Sequence, residues 1–173
     1  MQEQDIISLI KAHTAFRTGT GFDVHRLVKD RPLIIGGVTI PYELGLLGHS
    51  DADVLVHAVM DALLGAAKLA DIGVHFPDSD PRWKGADSLK LARAVSGLVR
   101  EKDYEIINVD SLVIAQRPKM SPYFDRMAAN IAEALEIEAE DVSVKATTTE
   151  KLGFCGAGEG IAASASVLLR KKP

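Results

Sequence analysis

An alternation of apolar and polar residues predicts the strands of this chain. Phe22, Val24 and Arg26 alternate with Asp23 and His25, so one face of the first strand carries a carboxylate and an imidazole. Runs of β-branched and other apolar residues predict the remaining strands. We predict strands at 18–28, 106–115, 142–146 and 161–170, and a hairpin at 33–40 whose turn is Gly36-Gly37.

Apolar residues at helical spacing predict helices between these strands. Val56 and Met60 share one face of a helix that continues to about Leu69. Its N-cap is expected to be Ser50 or Asp51, because a short side-chain oxygen accepts hydrogen bonds from the free N–H groups of the first turn. Further helices are predicted over 1–17, from Asp87 or Ser88 to about Leu98, and over 123–136.

The order of these elements indicates the fold class. Strands and helices are mixed without strict alternation, which favours an α+β fold in which a small mixed sheet has helices packed on one face. One domain is expected over 18–173, after a helical N-terminal extension over 1–17. The segment 71–85 is rich in Asp, Gly and Pro and is predicted to be a long loop, and loops of that length are often functional.

Composition and charge exclude several classes of partner. The 173 residues carry a formal net charge of -4, which argues against nucleic acid or an anionic membrane surface as the main partner. Cys155 is the only cysteine, so no intrachain disulfide forms, and this fits a reducing, cytoplasmic compartment. No apolar run is long enough to span a bilayer.

Asp23, His25 and His57 are candidate metal ligands. Two ligands from one strand face and one from a helix suit a zinc site with an open fourth position, as in catalytic zinc centres. Asp53 and Asp61 lie one helical turn on either side of His57 and are expected to orient its ring. The alternative is local capping and pairing of these side chains, which spacing alone favours.

Three further segments contain residues that suit phosphate or nucleotide binding, and each has a simpler interpretation. His49 and Ser50 precede a helix, where they would contact phosphate or only cap the helix. The threonine-rich segment 145–154 would bind phosphate and, through Glu150, a divalent ion, or would be a polar turn. Segment 115–121 would present backbone groups to a base edge, or would only connect a strand to a helix.

Together these segments resemble the 2-C-methyl-D-erythritol 2,4-cyclodiphosphate synthase family of the non-mevalonate isoprenoid pathway, from about Gly19 to Leu169. The resemblance rests on Gly21-Phe-Asp-Val-His25, Gly48-His-Ser-Asp-Ala-Asp53 with His57, Asp71-Ile-Gly73, Phe76-Pro-Asp78, Lys84-Gly-Ala-Asp-Ser88, Pro118-Lys-Met120 and Val144-Lys-Ala-Thr-Thr-Thr-Glu-Lys-Leu-Gly-Phe154.

The resemblance implies a phosphorus–oxygen lyase. Its substrate would be 4-diphosphocytidyl-2-C-methyl-D-erythritol 2-phosphate, whose 2-phosphate attacks the β-phosphorus, closes a cyclic diphosphate and expels CMP. Such an intramolecular phosphoryl transfer depends on positioning and charge neutralisation rather than on a protein nucleophile.

The resemblance also implies which residues carry the reaction. Zinc, or another divalent transition metal, would bind Asp23, His25 and His57, and magnesium or manganese would bind near Glu150. His49 and Thr148 resemble the catalytic pair. The other implied substrate contacts are Asp23, His25, Ser50, Asp71, Ile72, Gly73, Phe76, Pro77, Asp78, Ser79, Asp80, Ala115, Gln116, Arg117, Pro118, Lys119, Met120, Ser121, Ala146, Thr147, Thr149, Glu150 and Phe154.

Members of the family are homotrimers with sites between subunits, so the resemblance implies the same assembly here. This chain has Ala157 where the family often has a basic residue, which puts anion binding in the central cavity of the trimer in doubt. Two other functions stay open: a non-catalytic trimeric nucleotide-binding module and a zinc-dependent phosphohydrolase that uses metal-bound water.

Overall fold

The computed structural model describes residues 2, 4–7, 10 and 15–172. Residues 4–7 and 10 of the predicted N-terminal helix are helical, and the rest of that helix lies outside the described residues. The later elements are strands β1 Phe16–Val28, β2 Leu33–Ile35, β3 Val38–Ile40, β4 Gly45–Leu46, β5 Tyr104–Ile114, β6 Val142–Thr147 and β7 Gly160–Lys171, and helices α1 Val54–Ala66, α2 Ile72–His75, α3 Ser88–Glu101, α4 Phe124–Leu135 and α5 Gly153–Gly156.

Five strands form a mixed sheet in the order β4-β1-β7-β5-β6. The long strand β7 lies between β1 and β5 and is antiparallel to both, whereas β5 and β6 are parallel. Strands β2 and β3 form the predicted hairpin as a separate sheet, with Gly36 and Gly37 at positive φ in its turn. The α+β class with a mixed sheet is therefore confirmed.

Helix α1 lies unusually close to β1, because β1 has glycines where the two meet. A Cβ placed on Gly21 would be 2.8 Å from the backbone nitrogen of Ala62 and closer still to the carbonyl oxygen of Ala58. A Cβ on Gly19 would be 2.8 Å from the Cβ of Ala66. The two glycines thus let the helix backbone pack directly on the strand.

Alternate residues of β1 face in opposite directions, as predicted. Asp23 and His25 are half-buried on the helix side, whereas Phe22 and Val24 are 59% and 44% exposed on the other side. Exposed apolar side chains continue beyond the strand at Leu152. The face of the sheet opposite α1 therefore carries apolar side chains that no residue within the described ranges covers.

The N-cap of α1 differs from the prediction. Asp53, not Ser50 or Asp51, caps this helix by accepting a hydrogen bond from the N–H of Val56 at 3.1 Å. Its two oxygens also accept from the N–H groups of Gly36 and Gly37, at 2.9 and 2.6 Å. The fully buried Asp53 therefore joins the hairpin turn to the helix, a long-range pairing that local spacing could not reveal.

The segment 71–85 contains more regular structure than predicted. Asp71 caps the short helix α2, and Asp80 caps a 3-10 turn at Pro81–Trp83. Asp87, one of the two residues predicted to start the next helix, caps α3. No helix within the described residues is long and apolar enough to cross a membrane.

Candidate active site

Strand β1 and helix α1 bring the three predicted metal ligands together. Oδ2 of Asp23 lies 3.0 Å from Nε2 of His25 and 3.0 Å from Nδ1 of His57. The two ring nitrogens are 3.1 Å apart. One carboxylate oxygen and two imidazole nitrogens thus form a small triangle at the surface of the protein.

This triangle fits a tetrahedral metal ion. Metal–ligand bonds of about 2.0–2.1 Å place the corners of a tetrahedron about 3.3 Å apart. The three atoms need to separate by only a few tenths of an ångström to reach that spacing, and three protein ligands leave one position open. The donor set of one carboxylate and two imidazoles suits zinc and other divalent transition metals.

The contacts within the triangle shift the pKa values of Asp23 and His25. Burial would raise the pKa of Asp23, but the hydrogen bonds and charges of His25 and His57 lower it well below its ordinary value. Burial would lower the pKa of His25, but the hydrogen bond and charge of Asp23 raise it above the ordinary value of 6.5. In the metal-free protein, Asp23 therefore favours the protonated form of His25.

The backbone orients the ring of His25. Its Nδ1 lies 2.7 Å from the carbonyl oxygen of Leu47, which can only accept, so Nδ1 carries the proton and Nε2 presents a lone pair to the site. The next residue, Gly48, leaves room for this ring, since a Cβ there would lie 3.0 Å from Cε1 of His25.

The prediction that Asp53 and Asp61 orient the ring of His57 is wrong. Asp53 is bound to the hairpin turn, and Asp61 accepts a hydrogen bond from the N–H of Ile72 at 2.9 Å. The Nε2 atom of His57 instead lies 3.1 Å from Oγ of Ser50 and 3.0 Å from Oγ of Ser88. The position of Ser88 before an amphipathic helix indicated only a helix start, so sequence reasoning missed this contact.

The ligand triangle opens into a cavity of about 370 Å³. The cavity brings together many residues that the sequence predicted as substrate contacts: Asp23, His25, His49, Ser50, Ile72, Gly73, Phe76, Pro77 and Asp78. Asp71, Ser79 and Asp80 do not line it. Sequence reasoning missed the apolar walls Met60, Trp83 and Leu91; the Trp83 ring packs edge-on against that of Phe76, with centroids 5.1 Å apart.

A second cavity of about 690 Å³ lies beside the segment that connects β5 to α4. Its lining contains all of the predicted segment from Ala115 to Ser121, with Ala146, Thr147 and Thr148. Tyr42 and Phe124 also line it and were not predicted. Among the described residues, this cavity and the cavity at the ligand triangle have no lining residue in common.

The turn after β6 places Thr148 beside Glu150. The Thr148 hydroxyl donates a hydrogen bond to a carboxylate oxygen of Glu150 at 2.6 Å. Glu150 and Lys151 both have positive φ, so the chain reverses sharply at the predicted second ion site. Thr149 and Phe154 instead line a small cavity on the other face of the sheet, with Phe22.

A sequence model of one protein family, described as the YgbB family, matches residues 16–170. The chain belongs to the YgbB family. Two relatives from Bacillus licheniformis and Bacillus subtilis, both named 2-C-methyl-D-erythritol 2,4-cyclodiphosphate synthase, are 65% and 62% identical to it over 156 residues. Each of these alignments covers 90% of this chain and 99% of the relative, which confirms the resemblance seen in the sequence.

Solved structures of similar proteins agree with this YgbB-family assignment. A Plasmodium falciparum IspF structure in complex with CDP has a TM-score of 0.80 and 36% identity, and the match covers 92% of this chain and 98% of that one. The bifunctional IspDF from Campylobacter jejuni has a TM-score of 0.88 and 47% identity. That match covers 91% of this chain but 42% of the Campylobacter chain.

Proposed function

We propose that this chain converts 4-diphosphocytidyl-2-C-methyl-D-erythritol 2-phosphate into 2-C-methyl-D-erythritol 2,4-cyclodiphosphate and CMP. The observation that carries the proposal is the Asp23–His25–His57 triangle at the mouth of a cavity, in a chain 65% identical to an enzyme named for this product. In the reaction, an oxygen of the 2-phosphate forms a bond to the β-phosphorus, and the bond from that phosphorus to the CMP oxygen breaks.

Asp23, His25 and His57 would hold zinc or another divalent transition metal. A metal ion bound there supplies Lewis-acid polarisation of a phosphate oxygen and fixes its position. His49 and Ser50 line the same cavity and would bind the phosphate that attacks. The apolar walls at Phe76 and Trp83 would exclude water, which favours ring closure over hydrolysis.

The larger cavity would hold the cytidine part of the substrate. Backbone groups of its walls from Ala115 to Ser121 would contact a base edge, and the lining residues Tyr42 and Phe124 would supply aromatic surface. Thr148 would contact the diphosphate from the rim of this cavity. Glu150 would help to hold magnesium or manganese there, a hard ion that favours carboxylate and phosphate oxygens.

The active enzyme would be a homotrimer with sites between subunits. Two features support this assembly. The metal triangle and the cytidine cavity lie in separate cavities of one chain, and the apolar side chains of Phe22 and Leu152 are exposed in the part of the chain that the structure describes. Mass measured by light scattering during gel filtration tests it, and a monomer that turns over substrate would refute it. A cytoplasmic location stays a prediction.

Phosphorus NMR with the cytidine diphosphate substrate tests the reaction itself. The proposal expects CMP and a cyclic diphosphate with a divalent ion present, and neither product after treatment with a chelator. CMP with a linear product would instead identify a zinc-dependent phosphohydrolase. Tight substrate binding without turnover would identify a nucleotide-binding module.

A further inference from the structure

The ring of His57 lies between two sets of partners. Its Nδ1 faces Asp23 and His25 at 3.0 and 3.1 Å, and its Nε2 faces Ser88 at 3.0 Å. A neutral imidazole has a single ring proton. Nδ1 is therefore available as a metal ligand only when the proton is on Nε2, and the groups around Nε2 decide how favourable that state is.

Ser88 can only accept a hydrogen bond from His57. The hydroxyl of Ser88 donates its one proton to Oδ1 of Asp51, and the backbone N–H of Ser88 donates to Oδ2 at 2.9 Å. A carboxylate has no proton to return. Ser88 is fully buried, so water cannot take over either role. The remaining interaction open to its oxygen is to accept the Nε2 proton of His57.

Ser50 leaves the position of the proton undecided, in contrast to Ser88. Its Oγ lies 3.1 Å from Nε2 of His57 and accepts from the N–H of Ala52 at 3.2 Å. Among the residues that the structure describes, no acceptor fixes the direction of the Ser50 hydroxyl proton, so this hydroxyl can donate to Nε2 or accept from it. The pair of Ser88 and Asp51, and not Ser50, thus determines that Nε2 of His57 is the donor in its hydrogen bond.

Asp51 is itself held firmly. Its N–H donates to the carbonyl oxygen of Ala86 at 3.0 Å, and its Oδ1 also accepts from the N–H of Asp53 at 3.2 Å. The bond to Ala86 and the two bonds from Ser88 join the loop before α1 to the start of α3, and Ser88 lies 37 residues further along the chain than Asp51. The carboxylate therefore lies in a fixed position under the hydroxyl of Ser88.

We propose that Ser88 and Asp51 are positioning residues for His57. Ser88 accepts the Nε2 proton of His57 and donates its own proton to Asp51. This series of hydrogen bonds leaves Nδ1 of His57 with a free lone pair for the metal. This inference rests on the metal site proposed above. The carbonyl oxygen of Leu47 has the same role for His25, because it accepts the Nδ1 proton and leaves a lone pair on Nε2. Both imidazoles therefore direct a lone pair into the metal site, beside Asp23.

The test compares Ser88→Ala with Ser96→Ala. Both serines are buried residues of α3, but Ser96 donates to the carbonyl oxygen of Leu135, away from the site. Zinc affinity of the metal-free proteins is measured by competition with a chromophoric chelator, and stability by urea unfolding. We expect both variants to lose similar stability. Ser88→Ala should also bind zinc about 10–100-fold more weakly, the usual cost of removing such an outer contact, while Ser96→Ala binds like the wild type.

A spectroscopic signature separates positioning from general loosening. Cobalt(II) in the site should give a changed visible absorption spectrum in Ser88→Ala and an unchanged one in Ser96→Ala, because ligand geometry sets that spectrum. Asp51→Asn provides a second variant should Ser88→Ala fail to fold. Its amide cannot accept both hydrogen bonds from Ser88, so zinc affinity should again fall.

The possible outcomes are distinct. Unchanged zinc affinity in Ser88→Ala and Asp51→Asn, with tight binding by the wild type, overturns the positioning role alone. Equal loss in Ser96→Ala overturns it as well, since the effect would then be one of stability. A wild-type protein that binds no zinc overturns the metal site and this inference together. Absence of cyclic product with tight zinc binding overturns the proposed reaction and leaves the positioning role standing.

Discussion

The close contact of α1 with β1 predicts that one methyl group should disrupt the metal site. Substitution of Gly21 by Ala places a Cβ 2.8 Å from the backbone nitrogen of Ala62 and closer to the carbonyl oxygen of Ala58. Non-bonded heavy atoms pack at about 3.5 Å, so strand and helix must separate by at least about 0.7 Å. The atoms in the way belong to the backbone, which cannot rotate aside as a side chain can.

That separation exceeds what a metal centre tolerates. His57 precedes Ala58 on the helix, while Asp23 follows two residues after Gly21 on the strand, so the ligands move apart with their elements. Metal–ligand distances are held to within about 0.2 Å. We expect Gly21→Ala to weaken zinc binding at least about tenfold and to destabilise the metal-free protein by about 3 kcal/mol, the upper end for overpacking.

Gly65→Ala is the matched control, because Gly65 lies on α1 with open space around its Cβ position. Because Gly65 is the last residue but one of α1, an Ala in its place should stabilise the protein by at most about 1 kcal/mol and leave zinc affinity unchanged. Urea unfolding and chelator competition measure both effects. Retention of full stability and full zinc affinity in Gly21→Ala would show that the glycine contact does not set the position of α1.

Three further predictions concern the cap, the protons and the ligands of the site. Asp53→Asn leaves one acceptor oxygen for three N–H groups that now share two. Urea unfolding should therefore show a free energy of unfolding lower by about 2–3 kcal/mol, and a decrease below about 0.5 kcal/mol would contradict the role of Asp53 as a cap. The pKa of His25 is raised above 6.5, because Asp23 outweighs the opposite effect of burial, so the metal-free folded state binds this proton more tightly than the unfolded chain. That stabilisation is complete below pH 6.5 and is lost as the pH rises through the folded-state pKa; unfolding in EDTA should show the loss, and His25→Ala should remove it. His57→Ala should fold and assemble but lose zinc and turnover, and an unchanged rate in a metal-stripped His57→Ala protein would refute the ligand assignment.

The local features of the fold were predictable from the sequence, because they depend on neighbours along the chain. The alternation around Asp23 and His25 gave the correct face of β1, and Gly36-Gly37 gave the hairpin turn. The start of α3 was predicted at Asp87 or Ser88, because these residues directly precede its amphipathic pattern, and Asp87 is the cap.

The contacts that organise the site were not predictable in this way. Helical spacing places Asp53 one turn from His57, but it does not show that a hairpin turn lies against Asp53 and occupies both of its oxygens. The partner of His57 on its far side, Ser88, is 31 residues away and comes from another helix. Such pairings follow from how the elements pack in three dimensions, and no local pattern encodes them.

The separation of the two cavities has a consequence for mixed assemblies. If each complete site combines the metal triangle of one subunit with the cytidine cavity of its neighbour, a subunit lacking His57 still offers an intact cytidine cavity. A second variant, in which a substitution of Met120 blocks the cytidine cavity, still offers an intact metal triangle. Each variant alone should be inactive, yet co-refolding the two in equal amounts should restore about a quarter of wild-type activity, the fraction of randomly formed interfaces that join two intact halves.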